Sequence, residues 1–175
     1  MPLAIALAFI ETNAEARTNY LAERCDVYTT DASGLAATRA ALDKPGDHVV
    51  LPEIVSKEPL GPLVRHGDDQ WADIARWTLN AMVAAEEMGI TSKNAKAMAK
   101  GTKNPEINRL LGKEKLQGRE ALGLSADWAL NVISQVGNYG EVFEANLGPK
   151  TALGLQRGNN AQWKNGGLLY APPFR

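Results

Sequence analysis

With 175 residues, 45% of them apolar and 22% charged, the chain has the size and composition of one ordinary folded domain or two small ones, which argues against disorder, collagen-like repeats and coiled coils. No apolar run approaches the roughly 18 residues of a membrane-spanning helix. The net charge of −1, from 19 Lys plus Arg against 20 Asp plus Glu, gives the molecule as a whole no attraction for nucleic acid or anionic lipid.

Leu3 to Ile10 is a continuous apolar run, the pattern of a strand covered on both faces as in a parallel sheet. It has no positively charged flank and meets Glu11 directly, so it reads as a buried strand and not as a signal peptide. Asn13 is placed to cap a helix over Ala14 to Glu23. Cys25 to Thr30 is short and rich in β-formers, and Ser33 to Leu42 is an alanine-rich helical run broken by Lys44-Pro45-Gly46-Asp47. His48 to Leu51 reads as a further strand. The first fifty residues therefore spell β-α-β-α-β, the alternation of parallel sheets with right-handed crossovers.

LPEIVSKEPLGP, Leu51 to Pro62, holds three prolines and a glycine and suits a connector or hinge. A short strand is expected at Leu63 to Arg65. Asp68 and Asp69 then stand before a helix as capping residues, and Ile74, Thr78, Ala81, Met82, Ala85 and Met88 follow helical spacing up to a stop at Gly89. From Ile90 the chain changes to short helical stretches separated by glycines. Asn104-Pro105-Glu106 starts one helix with proline at its first position. Ser125-Ala126-Asp127 starts another, with Trp128, Val132, Ile133 and Val136 on one side and Gly137 as its end. Glu141 to Leu147 is a third. Between Thr91 and Glu120 eight basic residues stand against three acidic ones, a local +5 without interleaved aromatics that reads as a solvated helical face.

Little in the chain suggests catalysis. The single cysteine, Cys25, excludes an internal disulfide and a Cys-built zinc site, and His48 and His66 are too few and too far apart for a metal centre. Neither histidine stands in a recognisable setting with a serine or with Cys25. Gly137-Asn138-Tyr139-Gly140 follows a helix instead of opening one, so it reads as a helix stop and not as a phosphate loop. Asp31 is the one candidate for binding. It comes after a short strand and before a helix, at the carboxyl end where open α/β sheets take ligands, and a carboxylate there can hold an ammonium through charge-assisted hydrogen bonds. Capping the following helix explains it equally well.

Arg24-Cys25-Asp26-Val27-Tyr28-Thr29-Thr30-Asp31-Ala32-Ser33-Gly34-Leu35 resembles the late part of the second lobe in polar amino-acid-binding proteins of ABC transporters. VSKEPLGPLVRHGDDQW, Val55 to Trp71, resembles their return crossing to the first lobe. Gly137-Asn138-Tyr139-Gly140-Glu141, Gly166-Gly167-Leu168-Leu169-Tyr170 and Ala171-Pro172-Pro173 resemble the general L-amino-acid-binding subfamily. Such receptors are two α/β lobes joined by a hinge and are roughly twice this length, so the resemblance implies a carboxyl-terminal half. It implies Asp31 as the contact to the substrate α-ammonium, with the α-carboxylate ligands outside the sequence, and a Cys25 whose disulfide partner is also outside it.

The expected fold is α/β, a partial two-lobe periplasmic binding protein of type II-like form with a helical carboxyl-terminal extension. Residues 1–55 would be the end of lobe 2, 56–89 the hinge crossing and return to lobe 1, and 90–175 a helical extension packing on lobe 1. The resemblance implies reversible capture of L-amino acids in the periplasm for delivery to a membrane permease, with no cofactor, metal or nucleic acid. Incomplete sheets expose edges, so self-association through them is expected. With two or three ligand donors missing, amino-acid affinity would be several orders of magnitude below that of a whole receptor. Two alternatives remain at this point: a structural or interaction module without a working site, and a dehydratase-like enzyme on the same scaffold.

Overall fold

The computed structural model describes residues 10–57, 59–114 and 122–174, and the chain divides into two compact units, 1–58 and 59–175. In the first unit, α1 (Asn13–Leu21) starts where Thr12 Oγ1 accepts the Glu15 amide, so Thr12 and not Asn13 is its cap. The helix ends with Glu23 at φ 55°, a left-handed residue whose strain is offset by amide bonds from Glu23 to Tyr20 O and from Arg24 to Asn19 O. Helix α2 (Ala32–Ala40) follows its cap Asp31, and Pro45–Asp47 forms one 3-10 turn.

The expected strands of this unit are corrected by the structure. Cys25 to Thr30 and His48 to Leu51 run without ladder partners, Leu63 to Arg65 in the second unit does the same, and no strand exists among the described residues. Residues 3–9 of the first expected strand lie outside the described residues. The reason is physical: a strand is defined by its ladder, and the segments carrying strand-like sequence find no paired edge among the described residues.

The second unit is helical and has its own core. Helix α3 (Asp69–Glu87) is capped by Asp68, whose Oδ1 accepts the Trp71 amide at 3.1 Å, and is followed by Gly89 at φ 68°. Helices α4 (Ala95–Gly101), α5 (Pro105–Leu110), α6 (Trp128–Val136) and α7 (Tyr139–Asn146) complete it. Ala81, Ala84, Ala85, Ile90, Leu110 and Ile133 are buried together. Small residues on α3 let its neighbours approach closely, and Ala84 and Ala85, adjacent in sequence, are both buried because α3 is covered on more than one side by α6, α7 and the tail. On α6 the buried residues are Ala129 and Ile133, while Val136 turns to solvent.

Gly137 and Asn138 do more than stop a helix. Gly137, at φ 103°, ends α6, and Asn138 caps α7 through a reciprocal capping box with Glu141, so that the helix starts at Tyr139, two residues before the expected start at Glu141. Glycine is required at 112, where φ is 89° and a Cβ would stand 2.2 Å from Ala126 O.

The tail is fastened to α3 by polar contacts. Arg157 donates to both oxygens of Glu86 at 3.0 and 3.1 Å with its guanidinium over the Tyr139 and Phe143 rings, and Gln162 Nε2 donates to Val83 O. Trp163 Nε1 and Lys164 Nζ donate to Glu87. An isolated parallel bridge pairs Gln162 with Leu169.

Candidate ligand site

Asp31 lies at the junction of an unpaired extended segment and α2, with its backbone at φ −60° and ψ 149°. The pattern Asp31-Ala32-Ser33-Gly34 places two donors within reach of one carboxylate. Ser33 Oγ donates to Oδ1 at 2.5 Å and the Gly34 amide donates to the same oxygen at 2.7 Å. Gly34 packs so closely on the carboxylate that a Cβ there would stand 2.7 Å from Oδ2.

These donors hold the Asp31 carboxyl below the usual carboxylate range, the Ser33 hydroxyl first and the Gly34 amide next, against a smaller opposing effect of burial. The group is ionised at neutral pH, half-buried and fixed in orientation. It is a capping residue by geometry. Its charge is kept in place by neutral donors and not by a cation, which leaves it able to attract an ammonium. Sequence reasoning names Ser33 only at the start of the helix that Asp31 would cap, and misses its hydroxyl as a donor, although a hydroxyl two residues after an aspartate at a helix start is the signal for it.

The first unit also has an open depression of about 460 Å³ lined by Arg17, Leu21, Asp43, Lys44, Asp47 and His48 among others. Asp31 is not in its lining. Its lining residue His48 contacts Tyr20: Tyr20 Oη and His48 Nδ1 share a hydrogen bond at 2.8 Å, and the Tyr20 ring lies 5.5 Å from the His48 ring and 6.4 Å from that of Tyr28. Sequence spacing gives no hint of this cluster, because residues 20, 28 and 48 come from three different segments.

Among the described residues no three of His, Cys, Asp and Glu gather into a group that could hold a metal ion. Cys25 is a half-buried free thiol, and His66 is exposed on a turn. Lys93, Lys96 and Lys100 of the basic stretch stand exposed at and along α4, while residues 115–119, with two more of its cations, lie outside the described residues. No described helix is long and apolar enough to cross a membrane.

No family model matches the chain. It is 58% identical over 166 residues to the glutamate/glutamine/aspartate/asparagine-binding protein BztA of Rhodobacter capsulatus, covering 95% of this chain and 49% of that protein. It is 54% identical over 166 residues to the general L-amino acid-binding periplasmic protein AapJ of Rhizobium johnstonii, covering 94% of this chain and 48% of that one. The putative amino-acid ABC transporter-binding protein YhdW of Escherichia coli is 52% identical over 152 residues, 87% of this chain and 44% of YhdW. Among solved structures, an ABC transporter periplasmic binding protein from Brucella ovis with glutathione bound matches at a TM-score of 0.84 and 52% identity, over 95% of this chain and 52% of that one. The backbone described above, helices and unpaired extended segments together, is thus about half of a periplasmic binding protein fold. The chain belongs to the family of amino-acid-binding periplasmic proteins of ABC transporters and spans about half the length of the curated relatives it matches.

Proposed function

We propose that this chain is the carboxyl-terminal half of a periplasmic receptor that captures L-amino acids and delivers them to an ABC permease. The observation that carries the reading is identity of 52–58% over 87–95% of the chain to proteins named for amino-acid binding. In this reading residues 1–55 end the second lobe, 56–89 cross back to the first, and 90–175 extend it. The relatives are binding proteins and not enzymes, and the role assigned to this chain is reversible binding without bond making. Its location follows that of the relatives, the periplasm.

Asp31 is the substrate-contacting residue of the proposal. An ionised carboxylate held by Ser33 and Gly34 recognises the α-ammonium of the ligand through charge-assisted hydrogen bonds, and donors for the α-carboxylate come from the other half of the receptor. The Brucella ovis structure widens the ligand class. Glutathione carries a γ-glutamyl group whose α-ammonium and α-carboxylate are free, so the same pair of contacts serves a free amino acid and a γ-glutamyl peptide.

The test is a chimera in which this chain replaces the matching half of the Rhodobacter capsulatus protein, titrated calorimetrically with glutamate, glutamine, aspartate, asparagine and glutathione. The expected result is binding of at least one of them, weakened about tenfold to a hundredfold or more in D31A. A chimera that binds none of them, or one in which D31A binds as tightly as the parent, defeats the proposal.

A further inference from the structure

The C-terminal turn of α3 carries two unlike exposed groups. The first is basic. From residue 88 to residue 113 six Lys and Arg stand against one acidic residue, Glu106, which leaves −6 on the rest of a chain whose net charge is −1. Amide bonds from Ala95 to Thr91 O and from Met98 to Asn94 O carry the turn of α4 back to Thr91, so Lys93, Lys96 and Lys100, at spacings of three and four, share one helical face, and all three are exposed. Lys96, Lys100 and the exposed Lys103 make no hydrogen bond or ion pair among the described residues, and Lys93 is offset only by the Glu141 carboxylate. Like charges at these spacings oppose the helix that carries them, and only Lys100, in the last turn, stands favourably to the helix dipole.

The second group is aromatic and apolar. Trp163 is 58% exposed, Leu168 60% and Tyr170 71%. Leu169 O accepts the Trp163 amide, and Leu168 and Tyr170 on either side of Leu169 turn to solvent. Both groups hang on the same few residues of α3 and its end. Trp163 Nε1 donates to Glu87 Oε1 at 2.9 Å and Lys164 Nζ to Glu87 O at 2.7 Å, while Asn94 Nδ2, immediately before α4, donates to Gly89 O at 3.0 Å. A lysine face alone is a solvated face. Lysines beside exposed tryptophan and tyrosine rings, each with an apolar body and a polar edge, are the side chains that a membrane–water interface takes.

We infer that this end of the second unit is a docking surface for anionic phospholipid headgroups, with Lys93, Lys96 and Lys100 facing the phosphates and Trp163, Leu168 and Tyr170 at the interface. Charge complementarity selects the occupant. The chain as a whole is not drawn to an anionic surface, so attraction is left to this stretch, with its six-to-one excess of cations. Lysine is among the side chains least often buried, so a lysine face stays in water when further polypeptide packs on the chain. A second copy pairing through the same face would set lysines against lysines. The inference rests on the proposed function for its setting: a receptor that hands its ligand to a permease works at a membrane surface, and headgroup contact holds it there.

Vesicle flotation tests it, with this chain and with the same chain fused to the complementary half of the Rhodobacter capsulatus relative. Both are expected to float with vesicles of mixed phosphatidylglycerol and phosphatidylethanolamine at low salt, to be released by high salt, and to ignore vesicles of phosphatidylcholine. K96Q/K100Q is expected to weaken binding about tenfold or more, at about fivefold per lysine near the surface, and Y170S severalfold. All three side chains are in solvent, so unchanged melting temperatures are expected to accompany the losses. Failure to bind the anionic vesicles overturns the inference, as does equal binding to phosphatidylcholine, or indifference to K96Q/K100Q or to Y170S. Binding by the chain that is lost in the fusion would give the surface to the other half of the receptor, and binding only to vesicles that also hold the permease would give it to that protein; either overturns the lipid assignment. The outcome is separable from the function: a fusion that floats as expected but binds no amino acid defeats the receptor reading alone, and a fusion that binds amino acids without floating defeats the docking surface alone.

Discussion

The two units meet the same physical demand, to bury apolar side chains and pair backbone groups, with opposite success. The second, from residue 59, closes a core around Ile90, Leu110 and Ile133 with helices whose hydrogen bonds are satisfied within each segment. The first buries one apolar residue among those described, Ala36, and leaves Val27, Val49, Leu51, Ile54 and Val55 exposed. A helical unit can be complete in a chain that spans about half the length of its relatives. A unit whose sequence asks for strands cannot, because a ladder needs a second strand wherever in the chain that strand is encoded.

That contrast is broken most strongly by removing core volume from the second unit. Ile133→Ala empties a wholly buried site and is expected to cost about 2–5 kcal/mol, read as a lower urea midpoint. A loss under about 1 kcal/mol would mean that the helical core is loosely packed and that the two units differ little. Next in size is Arg157→Ala, which strands the half-buried Glu86 carboxylate and removes the guanidinium from the Tyr139 and Phe143 rings. About 1–3 kcal/mol is expected by the same measurement, discounted because both partners keep some solvent.

Much of the second unit was legible in the sequence because its signals are local. Asp68, Asn104-Pro105 and Gly89 mark helix ends that the structure keeps. The start of α7 was misplaced because Gly137 and Gly140 look like one stop, whereas Gly137 ends a helix and Asn138, paired with Glu141, begins the next. The two described strand expectations of the first unit, Cys25 to Thr30 and His48 to Leu51, differ from the structure for another reason. Val27 to Thr30 and His48 to Leu51 carry the composition of strands, and composition cannot report whether an edge is present to pair with. Of the candidate site, Asp31 and its capping role were visible from its place before a helix, while the Tyr20, Tyr28 and His48 cluster depends on contacts distant in sequence.

Smaller effects belong to the first unit. Asp31→Ala is expected to remove about 0.5–2 kcal/mol of local stability from α2, the range for a lost cap, with no change at α6. The Asp31 carboxyl is held below its ordinary value of 3.8, so its contribution is present above that value and is lost as pH falls through the lower, folded one. Opening of α2 followed by hydrogen exchange should therefore increase on acidification below about pH 4 in the parent, and D31N should flatten that acid limb. An acid limb of equal steepness in D31N would assign it to another group. The smallest effect is expected from Val49→Lys in the chain alone, within about 0.5 kcal/mol in either direction, because the side chain is already in solvent. A large loss would show that Val49 is covered in solution.

Native-state hydrogen exchange on the whole chain, followed amide by amide, tests the central contrast most directly. The account predicts that α3 and α6 exchange only through global opening of the second unit, while Val27 to Thr29 and Val49 to Leu51 exchange at nearly the rate of an unprotected peptide. Equal protection of both sets of amides would contradict it, because it would show that the first unit finds its strand partners within this chain.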